Sequence, residues 1–448
     1  MREKLKKVLN LEAMLKIYIV MQFFIDIVTS LCIRNVSEKL SLGIFIRTVF
    51  LIILVCYSFV KSDKKNKIKL TIFYGLLGVY LVAFLGVCYK SFGFSGIVSQ
   101  IKGALKTFYF PILLVAFISI SKKQNIKIDN NIFVYALLGY TGTIILSRIF
   151  KISYPSYPLY NGEGTVGLFY AANEIGVIMS ILAPITVLKL MNKKKNVINF
   201  IAVIVLILAS LEIGTKVPFI SLILLIGVVL YSCIVKLPNR IERKVNIRNL
   251  IATLITIVGI LLVLPFSPIA YNLGNVYNIA IPNVFSLGNK QKPNTEPNKN
   301  LETKEEVQTA VYSSRNVYLA ENLEKYKDSN SIKKFFGIGY LREQPETKEI
   351  TELKLVEIDY YDIFICHGIV GAIVYLIPFI YLFVIFIRKI ISNIKLVLLD
   401  REYILREYSI VIALFIAFTA GHVFTAPAPA LFLTLCIVQY CKLLEEEK

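Results

Sequence analysis

Ionisable side chains within or beside long apolar segments are the strongest candidates for chemistry in this chain. A charge there is costly to bury, so it usually serves a function or pairs with an opposite charge. The alternative for each residue is a satisfied helix–helix pair or a side chain that reaches the membrane interface. Asp26 and Arg47, each seven residues from the end of its segment, could meet as an ion pair. The whole set is Asp26, Arg47, Lys102, Lys106, Arg148, Glu174, Glu212, Lys216, His367 and His422.

The apolar segments themselves predict the fold class. The 448-residue chain is 56% hydrophobic, with a mean hydropathy of +0.66. About 20 consecutive apolar residues cross a bilayer core as one helix. We therefore predict an all-α polytopic membrane protein with about 12 transmembrane helices. The predicted spans lie near residues 13–33, 40–60, 70–88, 101–120, 131–148, 167–190, 197–212, 215–235, 249–266, 361–387, 404–421 and 427–441.

The distribution of cations predicts the orientation. With the N-terminus inside and the spans alternating, the inner segments hold 28 Lys and Arg residues and the short outer loops hold 6. Cytoplasmic loops of membrane proteins retain Lys and Arg. The sequence thus predicts a multi-pass protein of the cytoplasmic membrane with both termini in the cytoplasm. The formal net charge of +20 is explained by these loops, so we predict no nucleic-acid partner.

This topology predicts three regions. Residues 1–266 form transmembrane helices 1–9, residues 267–356 form one large extracytoplasmic loop, and residues 357–448 form helices 10–12. With this orientation, the charged residues of the set above gather in the outer half of the membrane. A channel or a symmetric transporter places its polar groups near the midplane instead. The pattern therefore favours a site open to the exterior and to the outer lipid layer.

Three features are predicted within the large loop. Residues 289–306 are rich in Lys, Asn, Pro and Glu and predict a mobile segment. Residues 305–326 predict an amphipathic helix. Residues 336–340 (FGIGY) predict a turn that depends on its glycines. The apolar face of the predicted helix would carry Val307, Val311, Leu319 and Leu323.

Four segments in a fixed order resemble the O-antigen ligase and polymerase superfamily over residues 148–376. Residues 167–174 (GLFYAANE) are similar to the aromatic-x-x-Asn motif with which a span in the middle of the chain begins in this family. Residues 214–216 (GTK) stand at the tip of a hairpin where the family carries a short cationic motif. The third segment combines residues 313–315 (SSR) with the FGIG of the loop, and the fourth runs from residue 357 (EIDYYD) to the GIVG at 368–371.

The resemblance implies a fold similar to the GT-C class and a glycan-transfer reaction. The donor would be an oligosaccharide on undecaprenyl diphosphate in the outer leaflet, and the acceptor a hydroxyl of another glycan. The partners implied are the lipid-linked donor, membrane lipid, and chain-length regulator and flippase proteins. Family ligases often carry a His-Asn pair near the position of Glu357, whereas the histidine here is His367. This departure favours a polysaccharide polymerase, for capsule or another cell-envelope glycan, over a lipid A-core ligase.

Two chemical tasks then select the candidate site residues. The leaving diphosphate needs fixed cations, for which Arg315 is the first candidate because a guanidinium grips phosphate oxygens in two places. The acceptor hydroxyl needs a proton acceptor, for which Glu357 and Asp359 are the first candidates. Asp362 could equally cap the next span, and His367 could be a packed core residue. Further residues predicted to bind the diphosphate or the glycan are Arg148, Lys216, Asn173, Glu174, Arg47, Asp362 and His367.

Neither a metal nor another cofactor is predicted. The first outer loop holds Glu38 as its one acidic residue, so no paired acidic motif is evident. Two other functions stay open at this stage. A flippase or transporter of lipid-linked glycans would need a charged cavity accessible from both sides, and a ligase would differ from a polymerase in its acceptor.

Overall fold

Helices make up nearly all of the chain that the structure describes. The computed structural model describes residues 11–37, 42–121, 128–157, 162–192, 197–277, 314–343, 349–392 and 394–445. The all-α polytopic fold predicted from the apolar runs is confirmed. Helices α1 to α10 are Leu11–Val20, Gln22–Asn35, Leu42–Lys61, Lys64–Ser121, Asn130–Ile149, Ala172–Met191, Val197–Glu212, Lys216–Val235, Arg243–Val263 and Pro268–Tyr277. Helices α11 to α16 are Arg315–Asp328, Ser331–Phe336, Asp359–Ser392, Ile394–Leu399, Arg401–Thr419 and Pro427–Glu445.

Within the described residues, eight helices are long and apolar enough to cross a membrane. A ninth span results if the bent pair α1 and α2, with 49° between the two helices, crosses as one. Several predicted ends agree with the structure to within a residue, such as 131–148 for Asn130–Ile149. Helix α4 covers two predicted spans, 70–88 and 101–120, which are separated by a break at Gly93. The total of twelve spans stays a prediction.

The helices fall into two compact units. The first contains the described parts of Met1–Gly43, Ile126–Ala310 and Asn393–Ala413. In it, α5 packs against α6 and α7, and α6 also packs against α8. The short antiparallel strands β1 (Tyr154–Pro155) and β2 (Thr165–Gly167) pair beside α5.

The second unit contains the described parts of Ile44–Asn125, Val311–Ser392 and Leu414–Lys448. In it, α13 and α16 pack against the long helix α4. The antiparallel pair β3 (Leu341–Glu343) and β4 (Ile350–Glu352) also contacts α4. This unit carries Arg315 and all the carboxylates predicted as bases.

The helix predicted for residues 305–326 is present in its described part as α11, which begins at Arg315. Leu319 and Leu323 pack against a buried cluster of Tyr326, Val356, Ile358 and Ile365, as the predicted apolar face requires. Val307 and Val311 lie outside the described residues, as does the 289–306 segment.

The FGIGY turn docks on a break in α13. Helix α13 is interrupted at Gly368, where φ is 67°. Just before this break, the carbonyls of Ile365 and Cys366 accept hydrogen bonds from the N–H groups of Ile338 and Gly339, at 3.1 Å each. Gly337 has a φ of 97°, and a Cβ at this position would lie 2.0 Å from the carbonyl oxygen of Cys366. Backbone therefore packs directly on backbone, and glycine is required at 337.

We expect Gly337→Ala to destabilise the protein by about 2 kcal/mol or more, because the new methyl group meets backbone that cannot move aside and φ is unfavourable for alanine. Thermal unfolding of the detergent-solubilised protein measures this. The matched control is Gly78→Ala in α4, where an added Cβ has no atom within 4 Å and should not destabilise the protein, because alanine favours a helix over glycine by up to about 1 kcal/mol. Equal unfolding temperatures for the two variants would contradict the docking described here.

Candidate functional site

Arg315 is the centre of a polar cluster in the second unit. It is the first residue of α11, and only 10% of its side chain is exposed. Its Nε donates to the carbonyl oxygen of Glu357 at 3.1 Å. Its Nη2 donates to Glu357 Oε2 and to the carbonyl oxygen of Ala420, both at 3.3 Å. One guanidinium thus joins three segments of the unit, and its position is fixed by groups of the protein itself.

Glu357 is the anionic partner in this cluster. Its Oε1 accepts a hydrogen bond from Lys354 Nζ at 3.0 Å, and its Oε2 lies 3.6 Å from His422 Nε2. Burial alone would raise the pKa of the Glu357 carboxyl, but the interactions with His422 and Lys354 outweigh burial and lower this pKa to about 2. The carboxyl is therefore ionised at neutral pH. The stability it contributes is present above its ordinary pKa of 4.5 and is lost as the pH falls toward 2.

Backbone conformations that disfavour side chains concentrate around Arg315. In the part of the chain that the structure describes, four residues other than glycine have a positive φ. Three of them belong to this cluster: Ser314 (63°), Glu357 (63°) and His422 (62°). The fourth is Lys151 in the first unit. Such conformations cost about 1–3 kcal/mol each and persist where the surroundings enforce them, commonly at functional sites.

Asp359 holds the segment that carries His422. Its side chain is fully buried at the start of α13. Its carboxylate accepts hydrogen bonds from the backbone N–H groups of His422 (3.0 Å), Val423 (2.8 Å) and Phe424 (2.8 Å), and from the Thr425 hydroxyl (2.6 Å). Four donors therefore surround a carboxylate that has no exposed surface. This geometry suits an anchor better than a proton acceptor for a substrate.

Asp362 plays a similar part for Glu357. It is 6% exposed in the first turn of α13. Its two oxygens accept from the backbone N–H groups of Val356 at 2.8 Å and Glu357 at 2.9 Å. These bonds tie the chain that enters α13 to the first turn of the helix and hold Glu357 in its left-handed conformation. Asp362 is the fourth residue of α13 and its donors precede the helix, so it does not act as the N-cap that the sequence offered as an alternative.

His367 lies in the core of the same unit. The ring is fully buried, with Nδ1 2.9 Å from the Tyr80 hydroxyl and Nε2 2.7 Å from the Tyr340 hydroxyl. The Tyr340 hydroxyl also lies 2.6 Å from Thr107 Oγ1. Burial holds the pKa of Tyr340 well above its ordinary value, so the chain of hydroxyl groups is neutral. His367 therefore fixes the FGIGY turn against α4 and α13, as the packed-core alternative predicts.

The remaining predicted residues of the first unit lie at helix ends. Arg148, in the last turn of α5, forms an ion pair of 2.9 Å with Glu212 at the end of α7. Lys216 is the first residue of α8. Asn173 and Glu174 are half-buried in the first turn of α6.

Asp26 belongs to the first unit and Arg47 to the second, and the ion pair predicted between them stays a prediction. Asp26, in the first unit, accepts a hydrogen bond from the Tyr140 hydroxyl at 2.6 Å. Arg47 is buried on α3 in the second unit. Its predicted role at the substrate stays a prediction.

His422 was one of the candidate ionisable residues of the sequence but was given no role, and Lys354 was not a candidate. The structure brings together Arg315, Glu357, Asp359 and Asp362, which were predicted, with His422 from a segment more than 60 residues further along. His422 stood out in the sequence as one of two histidines, and it follows Gly421 before an apolar helix. Nothing in its local sequence indicates which carboxylate it meets.

Removing the Asp359 carboxylate should destabilise this unit. We expect Asp359→Ala to cost about 3 kcal/mol or more, because three buried N–H groups and one hydroxyl lose their acceptor. Asp359→Asn should cost less, since one acceptor oxygen remains. Thermal unfolding in detergent measures both, with Asp328→Ala at the exposed end of α11 as the control. A wild-type unfolding temperature for Asp359→Ala would contradict the anchoring role.

Comparisons with known proteins agree with this architecture. The sequence model of the family described as O-antigen ligase like membrane protein matches residues 9–447. No curated protein matches the chain. The match extends over nearly the whole sequence, including both units and every residue of the Arg315 cluster. This chain therefore belongs to the family of O-antigen ligase like membrane proteins.

Proposed function

We propose that this protein is a polysaccharide polymerase that acts on lipid-linked glycans at the outer face of the cytoplasmic membrane. Each reaction transfers a glycan from undecaprenyl diphosphate to a hydroxyl of another lipid-linked repeat unit. Family membership supports a membrane enzyme that transfers cell-surface glycans. The observation that carries the proposal is the Arg315–Glu357–His422 cluster, in which a preset guanidinium stands beside an ionised carboxylate and an imidazole.

The outward orientation rests on charge. Lys and Arg are far more frequent in the segments that alternate with the large loop than in the short loops on its own side. An outward loop faces the leaflet in which lipid-linked repeat units are polymerised, together with the flippase and chain-length regulator proteins of such a pathway. The roles predicted for Arg148, Lys216, Asn173 and Glu174 at the donor stay predictions.

Arg315 is proposed to stabilise the departing diphosphate. Negative charge develops on the leaving oxygen as the glycosidic bond breaks, and a cation fixed in advance stabilises it without reorganising. The hydrogen bonds from Arg315 to the carbonyl oxygens of Glu357 and Ala420 set the plane of the guanidinium. Lys354 adds a second cation, with 53% of its side chain exposed and its Nζ 3.0 Å from Glu357 Oε1. This lysine can reach a phosphate by turning about its own side chain.

The carboxylates are proposed as positioning groups. A general base works best when its pKa is near the operating pH, and a carboxyl with a pKa of about 2 is a weak proton acceptor. Glu357 instead orients Arg315 and His422, and Asp359 fixes the segment on which His422 lies. This assignment differs from the base role predicted for Glu357 and Asp359 from the sequence.

Membrane vesicles supplied with lipid-linked repeat units test the function directly. A polymerase produces a ladder of products spaced by one repeat. A ligase produces no ladder and needs a separate cell-surface acceptor. A flippase moves the donor across the membrane and forms no new glycosidic bond.

Arg315→Ala should reduce the rate of ladder formation by about 100-fold or more, as loss of a preorganised donor does in other transfer enzymes. Arg315→Lys should lose less, because the charge remains but the planar fork does not. The control is Lys325→Ala, an exposed cation on the same helix, which should stay within about twofold of wild type. Protein level and unfolding temperature are measured for each variant. A full-length ladder from Arg315→Ala at wild-type protein level would exclude the diphosphate role.

A further inference from the structure

An apolar cavity, here called the α4–α13 cavity, lies in the second unit and well away from the Arg315 cluster. Three helical segments line it: residues 66–73 and 115–119 of α4, and residues 377–381 of α13. The lysine-rich start of α4 and its C-terminal end therefore lie side by side here. Residue 377 follows Asp359 by 18 positions, or roughly 27 Å of helix path. The cavity is thus separate from the site described above.

The interior of the α4–α13 cavity is apolar, and its volume is about 200 Å³. The hydroxyl of Ser119, which also lines the cavity, lies 2.5 Å from the Ser62 hydroxyl, so this polar group is already satisfied. Apolar cavities of about 150 Å³ stay dry and take up hydrocarbon. The interior therefore suits an apolar group better than water. Its apolar walls are formed by Leu70, Phe73, Val115, Ile118, Ile377 and Pro378.

Polar groups lie where the cavity opens to the surface of the unit. Lys69 is exposed, and Tyr381 is 42% exposed. Lys69 Nζ lies 5.5 Å from the centroid of the Tyr381 ring, which is within cation–π range. The half-buried Asn66, about one turn before Lys69, adds an amide that can donate to oxygen atoms. A ligand that matches both regions combines a hydrocarbon chain with an anionic head.

The chain around this opening is strongly cationic. Residues 61–69 contain five lysines and one aspartate. In the topology predicted from the charges, these lysines face the cytoplasmic leaflet, where anionic lipids attract cations close to the membrane surface. The lipid-linked donor of the proposed reaction would lie in the opposite leaflet. The charge therefore favours a phospholipid of the surrounding membrane over that donor.

We propose that the α4–α13 cavity binds an anionic phospholipid, with one acyl chain in the apolar interior and the phosphate beside Lys69 and Asn66. A site that encloses a whole small-molecule ligand has roughly 300–1,000 Å³. This cavity is smaller, so part of one chain enters it and the rest of the lipid stays in the bilayer. The Lys69 ammonium and the Asn66 amide supply donors for the phosphate oxygens. Binding is reversible and requires no glycan transfer.

A photoactivatable phosphatidylglycerol tests this proposal with the full-length protein in phosphatidylcholine vesicles. The reactive group is on the acyl chain, and labelled peptides are identified by mass spectrometry. Phosphatidylglycerol should label residues 66–73, 115–119 and 377–381 about fivefold more than phosphatidylcholine with the same reactive chain, as attraction to one lysine near the membrane surface predicts. Equal labelling of these segments by the two lipids would overturn the proposal.

Two substitutions test the head and the chain separately. Lys69→Ala should remove the fivefold preference for phosphatidylglycerol, whereas Lys67→Ala, at an exposed lysine outside the cavity wall, should keep it. Val115→Trp should lower the labelling of the cavity segments by both lipids, because the indole occupies the interior. Its control is Ile72→Trp, at a position that is 57% exposed and outside the cavity wall. An unchanged preference in Lys69→Ala would contradict the proposal whether or not Val115→Trp folds.

Competition with unlabelled lipids identifies the class of lipid that is bound. Phosphatidylglycerol should displace the photoactivatable probe more effectively than undecaprenyl phosphate does. Stronger displacement by undecaprenyl phosphate would assign the cavity to a polyprenyl lipid and overturn the proposal. No glycan donor is present in these experiments, so their outcome is independent of the proposed function. Selective labelling by phosphatidylglycerol in a protein that forms no ladder would contradict the proposed function alone.

Discussion

The buried guanidinium of Arg315 constrains the conformation of the segments around it. Arg315 is 10% exposed, and a charge with so little access to water must find its partners within the protein. It finds the carboxylate and carbonyl of Glu357 and the carbonyl of Ala420. Glu357 is itself left-handed, and Ala420 comes directly before the left-handed Gly421. The requirement to surround one cation therefore accounts for the unusual backbone of Glu357 and for the close approach of Gly421.

Two other carboxylates support the segments that surround Arg315. Their described hydrogen bonds go to backbone N–H groups of these segments and not to the guanidinium. Asp362 binds the N–H groups of Val356 and Glu357, and Asp359 binds those of three residues from His422 onward. Both lie in the first turn of α13, where negative charge is also favoured by the helix dipole. One helix start thus organises the chain on either side of the cluster, and the stability of the fold is coupled to the geometry of the site.

The sequence predicted the helices better than it predicted the contacts between residues far apart in the chain. Apolar runs give helix ends such as Asn130–Ile149 because burial in lipid depends on local composition alone. Residue type also singled out Arg315, Glu357, Asp359 and Asp362, which the structure brings into one polar cluster. The partner of each carboxylate was not predictable from the sequence. Whether a carboxylate binds a cation or several backbone N–H groups depends on segments far away in the chain. His422 shows this limit most clearly, since its partner lies 65 residues earlier.

The same physical argument separates the two roles that a carboxylate could have here. Glu357 can hold Arg315 and His422 only while it is ionised, and the cations that keep it ionised also make it reluctant to take a proton. A single carboxylate cannot be both a firm anionic partner and an effective base at neutral pH. The proton of an acceptor hydroxyl must therefore pass to a group other than the Glu357 carboxylate. The position of Glu357 thus suits a fixed anionic partner of Arg315.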